Sequence, residues 1–211
     1  MSAREWPILG GTTRMREKHN WKRGISLLIL NVGCGQPYVG DVRLDVQRTR
    51  ATTILGDAHF LSFRDCVFDK ILCIEVLEHL CSPSKGIIEM RRVLKEDGTL
   101  VISVPNVTEW RRILSIHRHP TTIHCPETKH RQAWDAVAFH HLTDLTGLEI
   151  AAVDWFDHAS RVNRRERYKF LNPILRKLLP SFLYYTHMKV TCHRARAREL
   201  HRDSLPHKSR H

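Results

Sequence analysis

The sequence has no long hydrophobic run, no paired cysteines and no hydrophobic leader. No stretch of its 211 residues reaches about 18 uninterrupted apolar positions, the length that a membrane-spanning helix requires. The 6 cysteines show neither disulfide nor metal-site spacing. Residues 1–6 carry charge without an apolar segment behind them, which is not the pattern of a secretory signal. These absences predict a cytoplasmic protein with free thiols.

Acidic residues are scarce in the C-terminal quarter of the chain. Residues 161–211 hold 14 lysines and arginines against 3 acids, a net charge of +11, whereas residues 1–160 hold 20 against 19, a net charge of +1. A near-neutral body with a cationic appendage predicts that the appendage holds an anionic partner.

An apolar segment followed by glycines lies near the N-terminus. Residues 28–32 are mostly large aliphatic side chains without polar alternation, which predicts a central strand buried on both faces of a parallel sheet. Gly33 and Gly35 follow, and glycines allow the backbone to turn sharply and to approach a ligand closely. Alone, a Gly-x-Gly turn after a strand also occurs without any ligand.

Acidic residues stand at the ends of the next predicted strands. Segments 42–46, 52–57 and 68–74 have strand composition, and Asp45 and Asp57 lie at the C-terminal ends of the first two. In open α/β sheets ligands bind at this edge, where a carboxylate can accept both hydroxyls of a ribose. The series therefore predicts a ribose-containing ligand.

These motifs together resemble the class I S-adenosylmethionine-dependent methyltransferases. The resemblance covers residues 26–106 and continues more weakly to residue 154. It is carried, in chain order, by Asn31-Val-Gly-Cys-Gly35, Leu44-Asp45, Gly56-Asp-Ala58, Phe68-Asp69, Glu75-Val-Leu-Glu-His-Leu80 and residues 91–106. It implies an α/β fold: a doubly wound, mostly parallel, seven-stranded, Rossmann-like sheet whose last strand is antiparallel.

The resemblance also implies a cofactor and its contacts. S-Adenosylmethionine is the expected cofactor, with Gly33 and Gly35 around its methionine part, Asp45 on the ribose hydroxyls, and Asp57 with Ala58 at the adenine. The residues expected on the cofactor side are Asn31, Gly33, Cys34, Gly35, Asp45, Asp57, Ala58 and Glu75.

The chain departs from the family pattern in two respects. Asn31 stands where an acid is usual, and Pro37 where a third glycine is usual. In addition, only residues 33–40 separate the first two strands, too few for the helix of an ordinary parallel crossover, so that helix is predicted to be absent or a single turn. The departures leave one alternative function open: a non-catalytic scaffold or activator subunit with a cofactor fold.

Two histidines are candidates for a general base, which methyl transfer needs only when the acceptor must lose a proton. His79 follows the strand at 68–74, and His130 precedes a helix predicted for residues 133–145. The alternatives are a structural hydrogen bond for His79 and an exposed loop position for His130. Further histidines and Cys125 lie nearby, but without Cys-x-x-Cys or His-x-x-x-His pairs on regular elements, so no metal site is predicted.

The acceptor is suggested by what is missing after the strand at 68–74. Similar enzymes that methylate a base amine carry Asp/Asn-Pro-Pro-aromatic there, whereas this chain has Ile74-Glu-Val-Leu77. The leading prediction is therefore methyl transfer to a small-molecule, glycan or lipid-linked acceptor. An RNA methyltransferase that uses the basic C-terminal region is the alternative.

The basic region has a pattern that also occurs at membrane surfaces. Residues 169–180 contain a predicted amphipathic helix, with Asn172 as its cap, Pro173 at its first position and Pro180 as its stop, and basic residues flank its apolar face. One interpretation is contact with an anionic membrane surface through residues 161–198, by a protein peripheral to the membrane. Packing of this segment on the sheet and binding to nucleic acid are the alternatives.

The chain is predicted to contain one main domain. Its parts are an N-terminal extension (1–25), a methyltransferase core (26–157), a basic amphipathic insertion (158–187), the last core strand (188–193) and a disordered basic tail (194–211). Within the core, a helix is predicted to start at Ser82-Pro83 and to end at Asp97-Gly98, and Gly147 is predicted to end the helix at 133–145.

Overall fold

A computed structural model describes residues 27–35, 38–110, 113–114, 131–156 and 177–195. The strands within these ranges are β1 (Ile29–Val32), β2 (Val42–Asp45), β3 (Ile54–Leu55), β4 (Phe68–Ile74), β5 (Leu94–Pro105), β6 (Leu148–Phe156) and β7 (His187–Arg194). The helices are α1 (Pro83–Val93), α2 (Ala136–Thr146) and α3 (Ser181–Tyr184), with a 3-10 turn at Leu77–His79. In the described ranges, no helix is both long and apolar enough to traverse a bilayer.

The seven strands form one sheet in the order β3-β2-β1-β4-β5-β7-β6. The five strands from β3 to β5 run parallel to one another, whereas β7 lies antiparallel between β5 and β6. This arrangement confirms the predicted doubly wound sheet with an antiparallel last strand.

The apolar segment near the N-terminus forms the middle of the parallel part. β1 pairs with β2 on one side and β4 on the other, and Leu30 and Val32 are fully buried. Ile71 on β4 and Ile102 on β5 extend the same core. A strand rich in aliphatic side chains is stable there because helices cover both faces of such a sheet.

α1 packs on the sheet through one buried face. Pro83 occupies the first turn, and Ile87, Met90 and Val93 are fully buried. The predicted end at Asp97-Gly98 is wrong, because the helix stops at Val93 and Leu94 already pairs with Phe68 of β4. Pairing with the sheet therefore overrides the Asp-Gly stop signal.

α2 has the ends that its sequence predicts within a few residues. Asp135 caps its start, accepting the backbone N–H of Ala138 at 2.8 Å. Gly147 ends it with a φ of 69°, a left-handed conformation that glycine adopts without strain.

The connection between β1 and β2 is short, as predicted. Its described residues form no helix, and Asp41 closes it by accepting the backbone N–H of Ile29 at 2.8 Å. Gly40, with a φ of 89°, supplies the turn before β2.

The last part of the basic insertion packs at the carboxyl end of β5. Asn106 donates from Nδ2 to the carbonyls of Phe182 and Tyr185 at 2.6 and 2.8 Å. β7 then starts at His187 and ends at Arg194, one residue longer at each end than predicted. Most of the predicted amphipathic helix and the tail from residue 196 lie outside the described residues.

Arg92 on α1 holds the loop before β4. Its guanidinium donates to the carbonyls of Leu61 and Phe63 at 2.8 Å and to the carboxylates of Asp65 and Glu89 at 2.7 and 2.8 Å. The hydrogen bond from Arg92 to Glu89 is the main cause that holds the pKa of Glu89 below its usual range. The planar guanidinium can serve four acceptors at once, which an ammonium cannot.

We therefore expect Arg92→Lys to lower the free energy of unfolding by about 2 kcal/mol at pH 7, since several hydrogen bonds are lost. Because the pKa of Glu89 is lower in the folded protein, its carboxylate stabilises the fold at pH values above its unfolded pKa, which is about 4.3. That stabilisation is lost as the pH falls through the folded pKa. The difference between the two proteins should therefore shrink at pH 3. Urea titrations at both pH values test this, and an equal difference at both would contradict the role of Glu89.

Candidate active site

A cavity of about 520 Å³ opens at the carboxyl ends of β1, β2 and β4. Its volume lies in the range of small-molecule sites. The lining residues are Val32, Gly33, Leu44, Asp45, Val46, Gln47, Gly56, Asp57, Ala58, His59, Glu75, Val76, His79, Leu80, Cys81 and Arg131. Six predicted site residues therefore come together here, namely Gly33, Asp45, Asp57, Ala58, Glu75 and His79.

Gly33 forms the turn between β1 and the cavity. Its φ is +66°, and a Cβ at this position would lie 2.3 Å from Cγ2 of Val76, which also lines the cavity. The backbone N–H groups of Gly33 and Cys34 both donate to the Leu44 carbonyl, at 2.8 and 3.1 Å. The turn is thereby tied to β2, and any side chain at position 33 must displace the wall.

Asp45 fixes the glycine turn from the end of β2. Its Oδ2 accepts the backbone N–H of Gly35, and its Oδ1 accepts that of Gln47, both at 2.9 Å. A carboxylate has about four lone-pair sites, so each oxygen retains capacity for one further donor. This donor set fits a pair of ribose hydroxyls.

Asp57 and His59 form a hydrogen-bonded pair beside the cavity. Oδ1 of Asp57 accepts the backbone N–H of His59 at 2.9 Å and lies 2.6 Å from Nδ1 of its ring. Ser82 donates its N–H to Nε2 of the same ring at 3.2 Å, so Nδ1 is the nitrogen that carries the proton. The His59 backbone N–H is the main cause that keeps the pKa of Asp57 below its usual range.

His59 is a cavity residue that was not predicted from the sequence. A signal was nevertheless present, because an aspartate often accepts the N–H two residues further on in a turn. Asp57-Ala-His59 has that spacing.

Glu75 follows β4 in a strained conformation, with a φ of 54°. Its Oε1 accepts the Ser103 hydroxyl at 2.6 Å, and its Oε2 lies 3.1 Å from Nε2 of the buried His187. The His187 Nδ1 in turn lies 2.8 Å from the Thr186 hydroxyl. A non-glycine residue in this region costs about 1–3 kcal/mol and persists only where its surroundings fix it.

Three residues predicted on the cofactor side do not line the cavity. Asn31 is buried and donates from Nδ2 to the Val39 carbonyl at 3.1 Å. Cys34 is also buried, with its Sγ 3.9 Å from the Thr52 hydroxyl, and Gly35 is bonded to Asp45. The roles predicted for these three residues remain predictions.

One of the two candidate bases, His79, lines the cavity. His79 is exposed on the 3-10 turn, where its N–H donates to the Val76 carbonyl at 2.9 Å. His130 lies outside the described residues. Its neighbour Arg131 lines the cavity, a position that the sequence analysis did not single out.

Comparison with known proteins supports the resemblance to methyltransferases. Residues 36–102 match the model of the family described as "Methyltransferase domain". This part of the chain is similar to that family, and the sheet around it has the class I methyltransferase fold. A SAM-dependent methyltransferase from Archaeoglobus fulgidus has a similar structure, with a TM-score of 0.56 and 14% identity over 80% of this chain and 86% of that one. One from Thermotoga maritima gives 0.56 and 13% over 81% and 83%.

Curated relatives resemble part of this chain. The uncharacterized protein MJ0638 of Methanocaldococcus jannaschii is 32% identical over 93 residues, which cover 37% of this chain and 41% of that protein. The chain thus spans about two fifths of the length of this relative. The solved structures, at 13–14% identity, support the fold of the methyltransferase domain.

Proposed function

We propose that the protein transfers a methyl group from S-adenosylmethionine to a small-molecule, glycan or lipid-linked acceptor. The observation that carries this proposal is the cavity at the carboxyl edge of a methyltransferase domain, with Gly33 and Asp45 in its wall. In such sheets this edge is where ligands bind.

The residues present fit the cofactor. At Gly33 the backbone approaches the cavity where a Cβ would be excluded, Asp45 can accept two hydroxyls, and Asp57 keeps its Oδ2 outside the contacts with His59. We propose that these groups, with Ala58, hold the methionine part, the ribose and the adenine. When bound, the cofactor supplies a methyl group activated by a sulfonium.

The chain contributes mainly positioning. The Gly33 turn, Asp45 and the Glu75 turn are each fixed by hydrogen bonds, which hold reacting groups in line and so replace a collision by an oriented contact. We propose His79 as the base that removes a proton from acceptors that must lose one. His130 remains the second candidate.

The acceptor class is tested by label transfer. The protein is incubated with cofactor carrying a trideuterated methyl group and, separately, with phenols and quinols, glycans, lipid-linked sugars and RNA. We expect mass spectrometry to show one trideuterated methyl group, in place of a hydrogen, on an acceptor from one of the first three classes. Labelled RNA without labelled small molecules would contradict the proposed acceptor class.

We also propose that the basic C-terminal region holds the enzyme at anionic membranes. Ala195 is the last described residue, and its N–H donates to the Gly147 carbonyl at 3.0 Å, so a truncation should begin at residue 196. Because residues 196–211 hold 5 basic residues against 2 acids, their removal should weaken sedimentation with phosphatidylserine vesicles but not with phosphatidylcholine vesicles. Unchanged sedimentation with both would assign no membrane role to the tail.

A further inference from the structure

We propose that Arg131 binds an anionic group, a carboxylate or a phosphate, on the methyl acceptor. This inference rests on the proposed function and adds the charge of the acceptor to it. Three observations carry it: the anchoring of the Arg131 backbone, its place along the sheet edge, and the partners of the charged groups around the cavity.

The backbone at Arg131 is anchored at the ends of β4 and β5. The N–H groups of Arg131 and Gln132 both donate to the Glu78 carbonyl, at 2.7 and 3.1 Å. Two residues later, the Trp134 carbonyl accepts the N–H of Val107, just after β5, at 3.1 Å. The Trp134 side chain is buried. Arg131 is therefore held at a fixed place on the cavity rim.

This place is far from the groups proposed for ribose and adenine. Asp45 ends β2 and Asp57 follows β3, whereas Arg131 is attached beside β4 and β5. In the strand order, β2 is two strands from β4 and three from β5, and neighbouring strands lie about 4.8 Å apart, which gives roughly 10–14 Å. Arg131 thus lies on the side of the cavity left for the acceptor.

Each carboxylate that lines the cavity has at least one hydrogen-bond partner among the described residues. Asp45 accepts two backbone N–H groups, Asp57 contacts His59, and Glu75 contacts Ser103 and His187. By contrast, the guanidinium of Arg131 makes no hydrogen bond or ion pair with any residue that the structure describes. A guanidinium matches two oxygens of a carboxylate or phosphate at once, so an anionic acceptor fits this position.

The experiment uses the full-length protein saturated with S-adenosylhomocysteine. Inorganic phosphate or acetate is titrated into this sample, and binding is measured by calorimetry and by NMR. We expect saturable, millimolar binding of at least one anion. Arg131→Gln should weaken that binding about ten-fold or more, the effect of one charge-assisted bidentate contact, while Arg131→Lys should weaken it less. Affinity for S-adenosylhomocysteine should stay within two-fold.

A matched control removes a cation next to the cavity. Lys85 lies 3.5 Å over the Phe60 ring and does not line the cavity, so Lys85→Gln should leave anion binding unchanged. An equal loss in both glutamine variants, or no saturable anion binding, would overturn the proposal.

One further titration distinguishes a contact with the acceptor from a contact with the cofactor. 5′-Methylthioadenosine has no carboxylate. If Arg131→Gln weakens S-adenosylhomocysteine binding but not that of 5′-methylthioadenosine, then Arg131 binds the cofactor carboxylate and the proposal is wrong. Failure of the unmodified protein to bind S-adenosylhomocysteine would instead contradict the proposed function itself.

Discussion

Gly33→Val is expected to abolish S-adenosylmethionine binding, with an affinity loss of at least about 100-fold, or about 2.7 kcal/mol. The first new carbon would lie 2.3 Å from Cγ2 of Val76, so the cavity wall must move. A φ of +66° adds about 1–2 kcal/mol of strain for a side chain with a Cβ. Calorimetric titration with the cofactor measures the loss.

A second variant separates a blocked site from a disturbed fold. Val76→Ala removes the atom that Gly33→Ala would contact, so the double variant should fold like the parent and recover part of the affinity that Gly33→Ala loses. Circular dichroism and thermal melting establish the folded state. A folded Gly33→Val protein with unchanged affinity would show that the glycine turn does not contact the cofactor.

Asp45→Ala is expected to weaken cofactor binding by roughly 10- to 100-fold, since hydrogen bonds to a charged group contribute about 1.5–3 kcal/mol. The substitution removes the proposed ribose acceptor and also frees the N–H groups of Gly35 and Gln47. Both N–H groups lie in partly or fully exposed segments, so water can replace the carboxylate and the sheet should remain folded. Titration and thermal melting of the same sample measure the two effects.

Asp41 provides the matched control. It also accepts a backbone N–H, that of Ile29 at 2.8 Å, but it does not line the cavity. Asp41→Ala should therefore reproduce the loss of one such bond while leaving cofactor affinity unchanged. Equal affinity losses at positions 41 and 45, or no loss at 45, would place the ribose contact elsewhere.

Much of the fold was predictable because its signals are local. The aliphatic run that became β1 has the composition of a central strand, and Gly147 ended α2 as its left-handed conformation requires. The end of α1 was mispredicted because Asp97-Gly98 is a local stop signal, whereas the helix actually ends at Val93, where β5 begins to pair with β4. A long-range contact decided that boundary.

The candidate site also contains residues that could be predicted from local signals and residues whose positions depend on long-range contacts. Gly33, Asp45 and Asp57 follow strands, so their meeting at one edge could be predicted from parallel topology. The partners of Glu75 could not be predicted in this way, because Ser103 lies on β5 and His187 on β7, which are 28 and 112 residues further along the chain. Arg131 was missed for the same reason, since its place depends on the Glu78 carbonyl.

The most direct test of the central claim is calorimetric titration of the purified, folded protein with S-adenosylmethionine and S-adenosylhomocysteine. We expect saturable 1:1 binding of both compounds with micromolar dissociation constants, a binding free energy of about −8 kcal/mol, and loss of both in Gly33→Val. Absence of binding by either compound to a folded sample would contradict the account and would favour a scaffold that keeps the methyltransferase fold without its cofactor.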